Sequence, residues 1–313
     1  MAKHSESYII EHQNRHMDVL DPRANIARLA TTGYIVCSGF QVDLGAFSKF
    51  VLAHSSRVTL DPARVFHGGK VAQKVDAGYA ALGLHLENGN SPFRPDLTWF
   101  YCERAAAHGS ETTVCDGWEV WRRASASARR QFEGQEIRYR RKVEELKWKS
   151  FVFHYLGATR PTLRMEDVVI GDLLALVEDD PGTTITPHHD GAITYSFRTP
   201  AVHRTVFGDR IAWANSIFGP SYNYEAPQIT FGDGREIPTG LLDEMRALTD
   251  ELTRDIKWKT GDVVMIDNTR VMHGRRAITD PDRTIFNALS YLSDELRSIG
   301  GASSSKRDID ARA

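Results

Sequence analysis

Gly261-Asp262-Val263-Val264-Met265-Ile266-Asp267-Asn268 reads as a turn glycine that delivers a short apolar run closed by an acid and an amide. A run of that length, bounded by Gly and Asx residues, is the pattern of a buried strand. Leu97 to Cys102 (LTWFYC) and Thr284 to Leu292 (TIFNALSYL) match it, and Tyr34 to Cys37 after Gly33 adds a fourth. Helical spacing appears elsewhere. Pro22 to Thr31 forms a short helix. Asp43 caps a second helix to about His54, with Leu44, Phe47, Phe50 and Val51 on one face. Trp118 to Phe132 reads as one helix. Another starts at Thr239 and runs to about Ile256, striped by Leu241, Leu242, Met245, Leu248 and Leu252. Val168 to Val177 and Ile185 to Phe197 read as partly extended, and the basic run Arg138 to Lys149 as a solvated helix face. Strands fill the middle and the end of the chain, whereas helices cluster early and in insertions. The expected class is mainly β with flanking helices, around a β-sandwich or double-stranded β-helix (jelly-roll) core.

Length and charge narrow the function. A chain of 313 residues with 41% hydrophobic content can bury a large core. The expected organisation is a polar N-terminal tail (1–13), one domain (14–299) with a long insertion (about 118–260), and a flexible C-terminal tail (300–313). A net charge of −2 gives no reason to expect nucleic acid or an anionic membrane as partner. Cys37, Cys102 and Cys115 make no even-numbered framework, so a reduced cytoplasmic setting is expected. The N-terminus lacks the apolar segment of a signal peptide, and no run of about 18 apolar residues could span a bilayer. The partner is then a small-molecule substrate, and homo-oligomerisation is left open.

The chemistry concentrates at His85-Leu86-Glu87. On an extended segment residues i and i+2 point to the same face, so both side chains can reach one metal. Two imidazoles and a carboxylate are the ligand set of a facial-triad iron site, and His273 is the best candidate for the third ligand. With 12 histidines in the chain, chance matches are expected. His188 and Asp190 in Pro187-His188-His189-Asp190 form a rival pair, in a Pro- and Gly-flanked loop. Zinc or manganese would accept the same ligands, so a jelly-roll hydrolase or isomerase that does not use O2 is the alternative.

The order of these motifs carries a resemblance. His85 and Glu87 precede His108-Gly109-Ser110-Glu111-Thr112-Thr113, and Gly261 to Asn268 precedes His273, Gly274, Arg275 and Arg283. From about Gly33 to Leu292 the chain resembles the taurine dioxygenase and clavaminate synthase group of Fe(II)/2-oxoglutarate oxygenases. Glu87 is similar to the glutamate of the clavaminate synthase branch. The resemblance implies that His85, Glu87 and His273 bind Fe(II), and that Thr112 and Arg283 hold 2-oxoglutarate. Thr113 is adjacent to Thr112, and Arg275 competes with Arg283. A planar guanidinium fork suits a carboxylate. It further implies consumption of O2, release of succinate and CO2, and hydroxylation, desaturation or cyclisation at a substrate C–H bond.

Two departures matter. Taurine-type relatives place a sulfonate-binding arginine four residues beyond the 2-oxoglutarate arginine, where this chain has Asn287. Halogenating relatives carry a small residue in place of the acid, and Glu87 fills that position. By position alone, Asn88, Asn90, Tyr195, Arg198, Trp213 and Asn287 are candidate substrate contacts, while Trp99 and Phe197 read as core. Their mixed character suits a small polar, amino-acid-like metabolite.

Overall fold

The structure is a computed structural model describing residues 8–59, 66–67, 71–75, 78–157, 159–207, 209–220 and 225–299. Most of the N-terminal tail and all of the C-terminal one lie outside that range. The architecture is mostly β with several helices. The large sheet runs in the order Ile9–Glu11, Tyr34–Ser38, Val263–Asp267, Leu97–Arg104, Thr284–Leu292, Ala72–Lys74, Phe66–His67, with Ser55–Thr59 also paired to Thr284–Leu292. The three apolar runs sit at its centre, where strands buried on both faces read as continuous hydrophobic stretches. Met265 and Ala288 flank Trp99 in register.

One face of this sheet carries Trp99, Tyr101, Met265 and Phe286. Against it pack the helices Pro22–Thr32 and Leu44–His54 through Ile26, Leu29, Phe47 and Val51. Their starts follow from capping: Asp21 and Asp43 accept hydrogen bonds from backbone N–H groups of the first turn. Trp99 donates its indole N–H to Ser290 Oγ at 2.9 Å, which satisfies the one polar atom of a fully buried ring. The opposite face carries Phe100, Val264, Ile266 and Ile285. It meets a second sheet ordered Arg254–Ile256, Thr112–Asp116, Val271–Arg275, Leu82–His85, through Val114, Ile256 and Val271.

Between Asp116 and Arg254 the chain builds a third sheet, ordered Thr183–Pro187, Ile193–Pro200, Glu136–Val143, Gln228–Phe231, accompanied among the described residues by five α-helices and the 3-10 helix Met165–Asp167. Several expectations change here. Trp118 to Phe132 is two helices, Gly117–Arg123 and Ala126–Phe132. Ser125 breaks the run because its hydroxyl caps Ala128 N–H, while Glu244 accepts from its backbone N–H and hydroxyl. Within Val168 to Val177, Ile170–Leu176 is helical, because Asp172 takes the Val169 N–H and Leu173 buries against the neighbouring helix. The helix from Thr239 stops at Leu252, and Arg254–Ile256 leaves it to pair with Thr112–Val114. The basic run is no single solvated helix: Glu136–Val143 is a strand, and a helix follows at Glu145–Leu156. Ile9–Glu11, expected as tail, adds a parallel edge strand beside Tyr34–Ser38. No helix among the described residues is long and apolar enough to cross a membrane.

Candidate metal and dicarboxylate site

His85 ends the strand Leu82–His85 and stands directly opposite His273 in the antiparallel pair with Val271–Arg275. The ring centroids are 4.5 Å apart. Glu87 follows two residues later, with Oε1 3.4 Å from His273 Nε2. One ligand atom from each of His85, Glu87 and His273 lies within 4.8 Å of the others, a spacing one ion could bridge with modest side-chain adjustment. His85 Nδ1 donates to Gly83 O at 2.8 Å. That bond sets the tautomer and leaves Nε2 as the lone-pair nitrogen, the usual way a metal-binding imidazole is oriented. The donor set of two imidazoles and a carboxylate fits a divalent iron, zinc or manganese ion.

The strands approach closely at this point. A Cβ on Gly274 would meet Leu82 O at 2.6 Å and Thr113 Oγ1 at 2.8 Å, so only glycine lets the strand carrying His273 lie between its neighbours. The Glu87 segment is clamped from two sides. Asn268, fully buried, accepts from Glu87 N at 2.9 Å and donates to Glu87 O at 3.1 Å and Pro95 O at 3.0 Å. Ser216 Oγ accepts from Leu86 N and donates to Leu86 O. The clamp lets the chain turn through Asn88 in the left-handed region (φ 52°). Asn268→Ala removes all three amide bonds while leaving every ligand in place. Iron affinity should fall about 10- to 100-fold, as for other supporting residues of metal sites. Anaerobic metal titration reads it, and an unchanged affinity would show that Asn268 does not position Glu87.

Thr112 and Arg283 lie beyond the cluster. Thr112 pairs with Arg275 across the sheet, and its hydroxyl accepts from Trp258 Nε1 at 3.2 Å. Arg283 donates from Nη1 to Ser110 O at 3.2 Å. Its Nη2 is buried without a hydrogen-bond partner, and Arg283 forms no ion pair with a carboxylate among the described residues. Burial, and next the charge of Arg275, push the Arg283 guanidinium down to about 10. Arg275 donates from Nη2 to Gly78 O and Ala80 O at 3.0 and 2.7 Å. Ser110 Oγ is also buried without a partner. The partnerless Arg283 Nη2 and Ser110 Oγ, with no carboxylate paired to Arg283 among the described residues, give this spot the electrostatic shape of an anion site.

A cavity of about 400 Å³ opens beside His85 and Glu87. Of the expected substrate contacts, Asn88, Asn90 and Tyr195 line it. Tyr195 donates its hydroxyl to Asn90 O at 3.1 Å, tying the insertion to the metal loop. Three candidates do not line it. Trp213 is fully buried in the core, ring against Phe132 and Phe218. Arg198 sits on the outward row of its strand, pairing with Glu136. Asn287 is buried on the inner face of the large sheet beside Phe100 and Gln73, and neither amide atom has a hydrogen-bond partner. Trp99 and Phe197 are core, as expected. The rival pair is elsewhere: His188 contacts Thr194 Oγ1 and Asp190 pairs with Lys142 in a hairpin turn. Position alone missed Arg141, Phe93, Trp148 and Phe151 on the cavity wall.

The sequence profile described as "Taurine catabolism dioxygenase TauD, TfdA family" matches residues 13–289. A clavaminate synthase-like protein of Arabidopsis thaliana is 25% identical over 209 residues, 61% of this chain; the match spans only 59% of that relative's length. The dapdiamide synthesis protein DdaC of Enterobacter agglomerans is 24% identical over 274 residues, 79% of each chain. Among solved structures, PvcB of Pseudomonas aeruginosa superposes with a TM-score of 0.59 at 13% identity, covering 92% of this chain and 86% of that one. At that identity the likeness speaks for the fold.

Proposed function

This chain belongs to the taurine catabolism dioxygenase TauD, TfdA family, and on that premise we propose that it is an Fe(II)- and 2-oxoglutarate-dependent dioxygenase that hydroxylates, desaturates or cyclises a small molecule at a C–H bond. The two facing sheets are read as a double-stranded β-helix (jelly-roll) core within one domain (14–299), carrying the insertion at about 118–260. PvcB is described as an Fe, alpha-ketoglutarate dependent oxygenase, which agrees with this reading.

The observation that carries the proposal is the uncompensated Arg283 guanidinium, electrostatically coupled to Arg275, two residues from His273. A hydrolase or isomerase using only the three-ligand cluster has no need of a buried cation there, whereas a dicarboxylate co-substrate supplies its counter-charge. His85, Glu87 and His273 would hold the iron, and Arg283 with Thr112 the far carboxylate of 2-oxoglutarate. Iron and 2-oxoglutarate supply the activation of O2, with succinate and CO2 as co-products. The protein's share is placement and dryness. Asn268 and Ser216 fix the Glu87 segment, Tyr195 fastens Asn90, and Phe93 and Phe151 keep water from the wall facing the cluster.

Anaerobic addition of Fe(II) and 2-oxoglutarate should produce a visible charge-transfer absorption. A well-folded, iron-loaded protein that lacks this band would end the proposal.

A further inference from the structure

The turn His108-Gly109-Ser110-Glu111 leads into the strand Thr112–Asp116. Gly109 and Ser110 both lie in the left-handed region, at φ 68° and 67°. Glycine adopts that conformation readily, whereas a serine there carries strain that a second glycine would avoid. The segment after the strand of His273 holds the turn in this shape. Ser110 N donates to Ala277 O at 3.3 Å, Arg276 N to Glu111 O at 2.9 Å, and Thr279 Oγ1 to His108 O at 3.3 Å. Ser110 is 1% exposed. Its backbone is engaged on both sides, because its carbonyl accepts from Arg283 Nη1 at 3.2 Å. Its hydroxyl has no hydrogen-bond partner among the described residues.

Two unfavourable features thus meet in one residue. A buried hydroxyl that bonds to nothing is destabilising, and so is a side chain at positive φ. Glycine at position 110 would remove both. Serine is of use there only when something accepts from its hydroxyl. Arg283 indicates what that is. Nη1 is committed to Ser110 O, so Nη2, buried and without a partner, is the terminal nitrogen left for a ligand. A carboxylate offers two oxygens, and a guanidinium nitrogen with a neighbouring hydroxyl supplies a donor for each. Thr112, two residues on, already accepts from Trp258 Nε1.

We propose that Ser110 is a further co-substrate contact: Arg283 Nη2 donates to one oxygen of the far carboxylate of 2-oxoglutarate, and Ser110 Oγ donates to the other. The inference rests on the iron and 2-oxoglutarate reading and adds a residue that reading does not use. The strained turn fixes the hydroxyl in a dry position before the ligand arrives, so little has to be ordered on binding.

The test compares 2-oxoglutarate with 2-oxopentanoate, which has the same 2-oxo acid head and chain length but no far carboxylate. Each is titrated anaerobically into the Fe(II)-loaded protein, and the charge-transfer absorption reads binding. Ser110→Ala should weaken 2-oxoglutarate about 10- to 100-fold, the worth of a hydrogen bond to a charged group, and leave 2-oxopentanoate within about twofold. Ser110→Gly should do the same. Without ligand neither variant should melt below the wild type, because each removes the unbonded hydroxyl and glycine also relieves the backbone. An unchanged 2-oxoglutarate affinity in Ser110→Ala, an equal loss for both acids, or a lower melting temperature in both variants would each overturn the proposal. A wild type that gives no band with 2-oxoglutarate would end the iron and 2-oxoglutarate reading and this inference with it. A wild-type band whose titration Ser110→Ala leaves unchanged would end this inference alone.

Discussion

Glu87→Ala should abolish 2-oxoglutarate turnover while leaving the protein folded. The carboxylate is one of three groups able to hold the ion, and its loss leaves His85 and His273 alone across the strand pair. Changing a residue that merely supports a metal ligand costs about 10- to 100-fold, so removing a ligand should cost more than about 100-fold in iron affinity and in succinate formed. Stability should change little. The backbone of Glu87, which fixes the turn, stays clamped by Asn268 whatever the side chain. Glu87→Asp keeps the charge but withdraws it by one methylene, and should retain partial iron binding. Asp190→Asn is the matched control, because Asp190 serves an exposed pair with Lys142. Iron retained after gel filtration, succinate yield and circular dichroism read the three variants. Wild-type iron content in Glu87→Ala, or loss of iron in Asp190→Asn, would move the metal away from His85, Glu87 and His273.

The features that were legible in the sequence are those set by local pattern. Val263–Asp267, Leu97–Arg104 and Thr284–Leu292 are buried on both faces over most of their length, so each reads as a largely apolar run. The relation of His85 to Glu87 needs only the period of an extended chain. Whatever depended on a distant partner was not legible. Ser125 splits a helical pattern because Glu244, over a hundred residues away, accepts its N–H and hydroxyl. Asn268 reads as the end of a strand, yet its role is to hold the backbone of Glu87. Arg141 is the instructive case. Charge density made Arg138 to Lys149 look like a solvated helix face, but the alternation in Ile137-Arg138-Tyr139-Arg140-Arg141-Lys142-Val143 already put one arginine on the apolar row. Counting by period would have found it.

Arg283→Met should raise the 2-oxoglutarate concentration needed for half-maximal turnover by about 10- to 100-fold, with no loss of stability in the ligand-free protein. The two effects have opposite signs for one reason. Burial pushes the guanidinium from its ordinary range down to about 10, and the charge of Arg275 adds to the shift. The folded chain thus holds this proton less firmly than the unfolded chain. The burden is present in full below about pH 10 and lessens only as pH rises through that value, so at neutral pH the charged group subtracts stability. Methionine fills similar volume without the charge, offsetting the loss of the Nη1 bond to Ser110 O. In the wild type the dicarboxylate cancels the burden, so 2-oxoglutarate at about 100 times its dissociation constant should stabilise the fold by about 2.7 kcal/mol. In Arg283→Met the same concentration should stabilise by only about 0.4 to 1.4 kcal/mol. A purely structural arginine would behave in reverse: the unliganded melting temperature would fall and the shift would survive. Arg275→Met offers that contrast, because it strips hydrogen bonds from the Gly78 and Ala80 carbonyls and should destabilise the protein with or without ligand. If Arg275→Met instead lost the shift and Arg283→Met kept it, the co-substrate carboxylate would belong to Arg275.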